Sequence, residues 1–158
     1  MADKRLEIAC DAGVATLKRQ GETLNSIRNR ASAVLSIAAL VISVGGGIGL
    51  INAGASHGAL PRWAGFSLIA VVVVIGILVV TVQWPVRKWA YGLGPGPVFE
   101  LLEEERTEDA LRLKLISLMA DAVKENEGVL TKRSQYYQIA TALLVAEVFI
   151  FMIAITIR

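Results

Sequence analysis

The sequence predicts an all-α integral membrane protein with three transmembrane helices and cytoplasmic helical stems, assembled as an oligomeric bundle. Apolar side chains make up 54% of the 158 residues, and the mean hydropathy is +0.57. A small soluble domain has too little interior to bury so much apolar surface. The chain also contains three long runs without a charged residue, and its Lys and Arg residues are concentrated on one side of these runs. Lipid is therefore the expected solvent for much of the chain.

Each uncharged run is long enough to cross a bilayer, because about 20 apolar residues suffice. The first span is expected at roughly Ala33 to Ala53 and the second at Trp63 to Trp84, where the two tryptophans suit the membrane interfaces. The third is expected at Tyr137 to Ile157. The resulting layout is an amphipathic helix at 1–32, a transmembrane hairpin at 33–84, a linker and helices at 85–136, and the last span at 137–158.

The distribution of positive charge predicts the orientation. The N-terminal segment carries six Lys and Arg residues and the segment between the second and third spans carries eight, whereas Arg62 and Arg158 are the only ones on the other side. Cytoplasmic loops of membrane proteins carry the excess of Lys and Arg. The N-terminus and residues 85–136 are therefore expected in the cytoplasm, and the C-terminus outside.

The first stem shows a heptad pattern. Small and apolar residues, with one glutamine, recur at alternating spacings of four and three: Leu6, Cys10, Gly13, Leu17, Gln20, Leu24, Ile27 and Ala31. This pattern predicts an amphipathic helix, and since no proline intervenes, it can continue directly into the first span. Its apolar face packs either on another copy of the chain or on the chain's own second stem; the pattern leaves both open.

The second stem begins after a run of glycine and proline at 92–97, which neither helices nor strands tolerate. A short acidic helix is expected at Val98–Glu105, and Thr107 is the expected N-cap of a longer helix. The apolar face of that helix carries Leu111, Leu115, Leu118, Ala122 and Val129. Two such stems have too little area for a core of their own, which favours self-association as a tetramer or a similar assembly.

The sequence argues against enzymatic and metal chemistry. Cys10 is the single cysteine, which excludes an internal disulfide, and His57 is the single histidine. A zinc site is therefore not expected. No nucleophile elbow, metal-binding helix motif or phosphate loop in an aqueous context is present. We therefore expect no catalytic residues, no metal and no cofactor.

The first candidate site lies within the spans. Glu147 is the only charged residue in the third span, and a charge at mid-bilayer costs about 2.5–3.5 kcal/mol on insertion scales, so it must face protein or water. We interpret Glu147 and Phe151, together with Gly45, Gly46 and Gly47 of the first span, as candidate pore or gating residues. The alternatives are a neutral Glu147 acting as interhelical glue, and glycines that serve only as a hinge or a close helix contact. A carboxylate lining a pore favours cations.

The second candidate site is a set of basic residues where the helices enter the membrane. The anionic ligand-binding candidates are Arg28, Arg30, Lys132 and Arg133, extended along the first stem by Lys18 and Arg19. Topology and contact with anionic lipid headgroups are the alternative explanation. In a symmetric oligomer the same residues would form a ring suited to an anion, and an oligonucleotide would bind there mainly through its phosphates.

Two stretches carry a family resemblance. The sequence QGETLNSIRNRASAVLS from Gln20 contains a Leu-x-x-Ile-Arg-x-Arg-Ala element that runs straight into the first span, and Asn126 lies late in the cytoplasmic helix. The order of elements matches as well. In these features the chain resembles small three-span membrane effectors of bacterial antiphage systems, namely the SLATT-like, Pycsar-type and Hailong-type effectors. Residue-level likeness is confined to Leu24–Ser36 and Ala122–Lys132.

The resemblance implies an oligomeric channel in the bacterial inner membrane that depolarises the cell when it opens. The implied signal is a nucleotide-type ligand made by a partner nucleotidyltransferase: a cyclic nucleotide in the SLATT and Pycsar types, or a single-stranded DNA oligomer that keeps a Hailong-type channel closed. No separate sensing domain is recognisable in the sequence, so such a ligand is expected to contact the stems. The alternatives are a membrane adaptor that recruits a soluble partner, and a holin-like protein or small transporter.

Overall fold

The computed structural model describes residues 4–51, 62–86, 89–90, 92, 94, 99 and 107–156, with only the backbone described for residues 46–51 and 62. The helices are α1 (Lys4–Ile51), α2 (Arg62–Gln83) and α3 (Glu108–Thr156). Each contains a stretch long and apolar enough to cross a membrane. For the described residues, the prediction of an all-helical architecture with three helices capable of spanning a membrane is therefore confirmed.

Stems and spans are joined without a break. α1 combines the first predicted stem with the first span, and α3 combines the second stem with the third span. Thr107 caps α3 as predicted: its Oγ1 accepts a hydrogen bond from the Ala110 amide at 3.4 Å, and its carbonyl accepts one from Leu111 at 3.0 Å. The predicted helix at Val98–Glu105 lies outside the described residues, except for Phe99.

The chain divides into two compact units. One comprises Met1–Ser26 and Pro85–Lys132, and we call it the charged unit; the other comprises Ile27–Trp84 and Arg133–Arg158, and we call it the apolar unit. Each is built from a part of α1 and a part of α3, and α2 belongs to the apolar unit. The division falls close to the stem and span boundaries that the hydropathy pattern predicts.

In the charged unit, the heptad face of α1 packs on α3 of the same chain. Leu17 and Leu24 are each only 1% exposed. A Cβ placed on Gly13 would lie 3.0 Å from Met119 Sδ, so the two helices approach closely there. Gln20 Nε2 donates to the Val123 carbonyl at 3.0 Å. Of the two partners that the sequence left open for this face, the structure therefore contains the chain's own second stem.

In the apolar unit, small and β-branched residues of all three helices form the core. Its buried members are Ala31, Val34, Ala38, Ile75, Val79, Val82 and Ala140. α1 and α2 run antiparallel, since Leu35 approaches Gly76 and Gln83 Nε2 donates to Ser32 Oγ at 2.7 Å. Large apolar side chains cover the outside; Phe66, for example, is 75% exposed. Lipid can solvate such a surface and water cannot, which fits the hydropathy of these segments.

Buried residues recur on α3 with a strict heptad period. Every seventh residue is buried: Met119, Asn126, Arg133, Ala140, Glu147 and Ala154. We call this set the α3 stripe. α1 shows the same period at Leu17, Leu24, Ala31, Ala38 and Gly45. A sustained period of seven is typical of left-handed knobs-into-holes packing. Three of the six residues on the α3 stripe are polar, and they define the candidate site.

Candidate functional site

Asn126 is the first polar residue of the α3 stripe and is fully buried in the charged unit. Its Nδ2 donates to the Ala90 carbonyl at 2.8 Å, and its Oδ1 accepts from the Ala90 amide at 3.2 Å. Both ends of the amide are therefore used on one residue of the linker that follows α2. Asn126 fastens this linker to α3, and nothing in its geometry suggests contact with a ligand.

Arg133 is the second polar residue of the α3 stripe and is 7% exposed in the apolar unit. Its Nη1 donates to the Val82 carbonyl and its Nη2 to the Trp84 carbonyl. The last carbonyls of a helix have no partner within the helix and attract positive charge. Arg133 therefore caps the C-terminus of α2. The sequence marked Arg133 as an anion-binding candidate, whereas in the structure two of its donors are already engaged by backbone carbonyls.

Arg28 is a second positive charge that acts on Arg133 in the apolar unit. Burial, and after it the positive charge of Arg28, lower the pKa of Arg133 below its ordinary value, although an arginine remains charged in proteins. Arg28 is half-buried, and its Nε is buried without a hydrogen-bond partner in the part of the chain that the structure describes. Two guanidinium groups therefore influence each other where α2 ends, and an anion bound at Arg28 would relieve their repulsion.

Glu147 is the third polar residue of the α3 stripe and is fully buried in the apolar unit. Neither carboxyl oxygen has a hydrogen-bond partner among the described residues. The stripe residues one heptad before and after it, Ala140 and Ala154, are apolar and buried too. No three acidic, histidine or cysteine side chains come together in the described ranges. A carboxyl group in these surroundings is strongly destabilised when ionised.

Hydroxyl groups along the spans donate to backbone carbonyls of their own helices and not to Glu147. The hydroxyls of Ser36, Ser43, Ser67, Thr81 and Thr141 each donate to the backbone carbonyl four residues earlier, at 2.8–3.1 Å. Such back-bonding satisfies the hydroxyl proton within its own helix turn. These five side chains therefore have no hydrogen to offer to Glu147.

Gly45 and Phe151, both candidates for a pore or gate, are brought together in the apolar unit. A Cβ placed on Gly45 would lie 3.0 Å from Phe151 Cε2 and 3.5 Å from Cδ2. Gly45 therefore makes a close helix contact, one of the alternatives to a pore or gating role that the sequence left open for it. α1 continues through Gly46 and Gly47 to Ile51. A small apolar groove with a volume of about 230 Å³ lies beside this contact, lined by Ile37, Leu40, Val41, Val44, Val148 and Phe151.

The remaining basic candidates are surface residues. Lys18, Arg19 and Lys132 are exposed in the charged unit, and Arg30 is exposed in the apolar unit. Solvent or headgroup phosphates can reach all four. The sequence did not show that Asn126 would hydrogen-bond to the linker after α2, or that Arg133 would hydrogen-bond to the C-terminal end of α2. Their spacing on the α3 stripe is visible in the sequence, but their backbone partners are distant in the chain.

The fold and the site define a class: a helical chain with three helices long and apolar enough to span a bilayer and with a buried carboxyl group in its apolar unit that has no hydrogen-bond partner among the described residues. Comparison with known proteins adds no closer relationship. No family model, no curated protein and no solved structure matches the chain significantly.

Proposed function

We propose that this chain is the subunit of an oligomeric ion channel that acts as a membrane effector of bacterial antiphage defence. It resides in the inner membrane with its N-terminus and residues 85–136 in the cytoplasm and its C-terminus outside. A nucleotide-type ligand, such as a single-stranded DNA oligomer made by a partner nucleotidyltransferase, controls it, and the open state depolarises the cell. The resemblance around Leu24–Ser36 and Asn126 supports the assignment to defence, and the charge distribution supports the orientation.

Glu147 is the observation that carries the proposal. An ionisable residue within a transmembrane segment is expensive and marks an ion or proton pathway by default. Glu147 has no exposure and no hydrogen-bond partner among the described residues, so these residues supply none of the hydrogen bonds that a purely structural role as interhelical glue requires. We interpret the structure as the closed state, in which Glu147 is withdrawn from water. Opening would hydrate it and place a ring of carboxylates, one from each subunit, along a pore that favours cations.

Assembly with further copies is supported by the charged unit. Ile8, Val14 and Leu113 are each at least 60% exposed there, although this unit is expected in water. A groove of about 300 Å³ between the helices is lined largely by small or apolar residues, including Ala9, Ala12, Gly13 and Met119. Packing against another copy would remove this surface from water.

Ion flux through liposomes containing the purified protein tests the channel. We expect cation flux from the wild type once the regulating ligand is absent or released, and a strong reduction for Glu147→Gln, which removes the charge and keeps the size. Glu127→Gln is the matched control, because Glu127 is an exposed glutamate on the same helix. Absence of flux in every ligand state, from a protein confirmed to be oligomeric, would contradict the channel. A cellular phenotype that survives Glu147→Gln would favour the adaptor.

Oligonucleotide binding tests the regulator. We expect Arg28→Gln combined with Arg30→Gln to weaken binding of a single-stranded DNA oligomer and to flatten its dependence on salt, because phosphate contacts release counterions. Arg133 is kept intact because it caps α2. Lys124→Gln is the control, since Lys124 is exposed and outside the candidate set. Equal binding by both variants, unaffected by salt, would exclude an anion site at Arg28.

A further inference from the structure

Glu147 is remote in sequence from every other charge on the three helices of the apolar unit. On α1, no charged residue follows Arg30; on α2, the first residue, Arg62, is charged, with a side chain outside the described residues, and no other charge follows; on α3, none but Glu147 lies beyond Arg133. Arg133 is about 21 Å away along the axis of α3, at 1.5 Å per residue, and two of its donors serve the end of α2. No cation of these described helix segments is therefore in position to balance an ionised Glu147.

Among the described residues, neutral donors are not in position either. The other titratable side chains on the α3 span are Tyr136 and Tyr137, which precede Glu147 by about 15 Å along the helix. The five spanning hydroxyls donate to their own helices. Backbone amides in the middle of the helices are used by the helical hydrogen bonds. An ionised Glu147 has nothing in the described packing to stabilise it, whereas a neutral carboxylic acid is tolerated.

We propose that Glu147 is a proton-binding site of the closed apolar unit and that it releases its proton only when the unit opens and water reaches it. This inference rests on the proposed channel and adds its regulation. The closed state then binds one proton more than the open state. Raising the pH therefore favours opening, because a rise in pH favours the state that binds fewer protons.

A buried carboxylic acid has a distinctive reactivity that tests the proton directly. A hydrophobic carbodiimide reacts from within the membrane with the protonated acid: the acid proton moves to one carbodiimide nitrogen, and the carboxyl oxygen bonds to the central carbon. The resulting O-acylisourea rearranges by transfer of its acyl group from oxygen to nitrogen and becomes a stable N-acylurea. Nothing leaves, so the modified peptide gains the mass of one whole carbodiimide. No oxidant, metal or cofactor is required.

The experiment treats the full-length protein in liposomes, at neutral pH, with dicyclohexylcarbodiimide and maps the modified residues by mass spectrometry. We expect Glu147 to be modified in preference to exposed Glu127 by on the order of tenfold or more, because burial of an unpaired charge within a membrane-spanning segment favours the neutral acid by at least that factor. A water-soluble carbodiimide with an added amine should give the opposite preference. Glu147→Gln should abolish the hydrophobic labelling, and Glu127→Gln should leave it intact.

The infrared difference between wild type and Glu147→Gln in the closed state, both at neutral pH where exposed carboxyl groups are ionised, provides a second measurement: the wild type shows the C=O stretch of a protonated acid and Glu147→Gln lacks it. Efficient modification of Glu147 by the water-soluble reagent in the closed state would overturn the inference, as would absence of both the hydrophobic labelling and the infrared band. Labelled Glu147 in liposomes that never conduct would leave the proton site standing and refute the channel. If the liposomes conduct but Glu147 in the closed state reacts with the water-soluble reagent, the channel stands and the proton site is refuted.

Discussion

The two units differ in how completely the polar side chains on their packed helix faces are hydrogen-bonded. In the charged unit, Gln20 donates to the Val123 carbonyl, and Asn126 uses both ends of its amide on Ala90. In the apolar unit, Arg133 finds two carbonyls where α2 ends, but Glu147, two heptads further along α3, finds nothing among the described residues. The same stripe of one helix therefore carries both satisfied and unsatisfied polar groups.

The difference follows from what a helix offers at its end and along its middle. The last turn of α2 and the linker after it have backbone groups without helical partners, and these accept from Arg133 and pair with Asn126. The middle of a helix has used its amides, so it offers a carboxyl group no donor. A buried cation or amide near a helix end is thus stabilised, whereas a buried acid at mid-span is stabilised only by a proton, by water or by another subunit.

Removal of the Arg133 cap should have the largest effect on stability. Arg133→Met keeps much of the length of the side chain but leaves the Val82 and Trp84 carbonyls without their donors. Hydrogen bonds to charged groups contribute about 1.5–3 kcal/mol each, so we expect a loss of about 3 kcal/mol. Unfolding in mixed detergent micelles measures it. Lys132→Met, at the exposed neighbouring position, should change stability by less than about 0.5 kcal/mol; equal effects of the two variants would refute the cap.

Removal of the two hydrogen bonds between Asn126 and Ala90 should have an intermediate effect on stability that is confined to the linker after α2. Asn126→Leu retains the approximate size but deprives the Ala90 amide and carbonyl of their partners, and a buried group left unsatisfied costs about 1–3 kcal/mol. We expect faster hydrogen exchange at the Ala90 amide and little change at the core residues Ile75 and Val79 of α2. Glu127→Leu, an exposed change at the next position, is the control. Unchanged exchange at Ala90 in Asn126→Leu would show that another contact holds the linker.

The smallest expected difference in stability between the units is at two glycines in close helix contacts, Gly45 in the apolar unit and Gly13 in the charged unit. An added Cβ at Gly45 meets the stiff ring of Phe151, whereas at Gly13 it meets chiefly the flexible end of Met119. Crowding a packed contact costs about 1–3 kcal/mol, and replacing a helical glycine by alanine returns about 1 kcal/mol. We expect Gly45→Ala to destabilise by about 1 kcal/mol and Gly13→Ala to be nearly neutral.

A third glycine and a double variant complete this comparison. Gly128 has no neighbour within 4 Å of an added Cβ, so Gly128→Ala should stabilise the protein by about 0.5–1 kcal/mol. Phe151→Leu should remove the penalty of Gly45→Ala, which a double-mutant cycle in detergent micelles would show. A penalty of Gly45→Ala that persists in the Phe151→Leu background would locate the crowding elsewhere.

Much of the fold was predictable because its signals are local. The three apolar runs have the length of a bilayer, the heptad positions of α1 include Leu17 and Leu24, and Thr107 has the hydroxyl that caps α3. A close helix contact was one of the alternatives for Gly45, and the structure places Gly45 against Phe151; its interpretation as a pore or gating residue stays a prediction. The roles of Asn126 and Arg133 were not predictable, because each depends on a backbone group at least 36 residues away.

The sequence by itself determined which segments are apolar enough to span a membrane, where α3 begins and which face of the first stem is buried, since length, capping and periodicity act over a few turns of helix. On the second stem the prediction was wrong: the buried residues are Met119 and Asn126, whereas Leu111, Leu115, Leu118, Ala122 and Val129 are only half-buried. Only the tertiary structure decided that the first stem packs on the chain's own α3, that Arg133 closes α2, and that Glu147 is enclosed without a partner among the described residues. These outcomes depend on which residues of one helix lie beside the end or the middle of another helix. Local sequence patterns do not encode this alignment between helices.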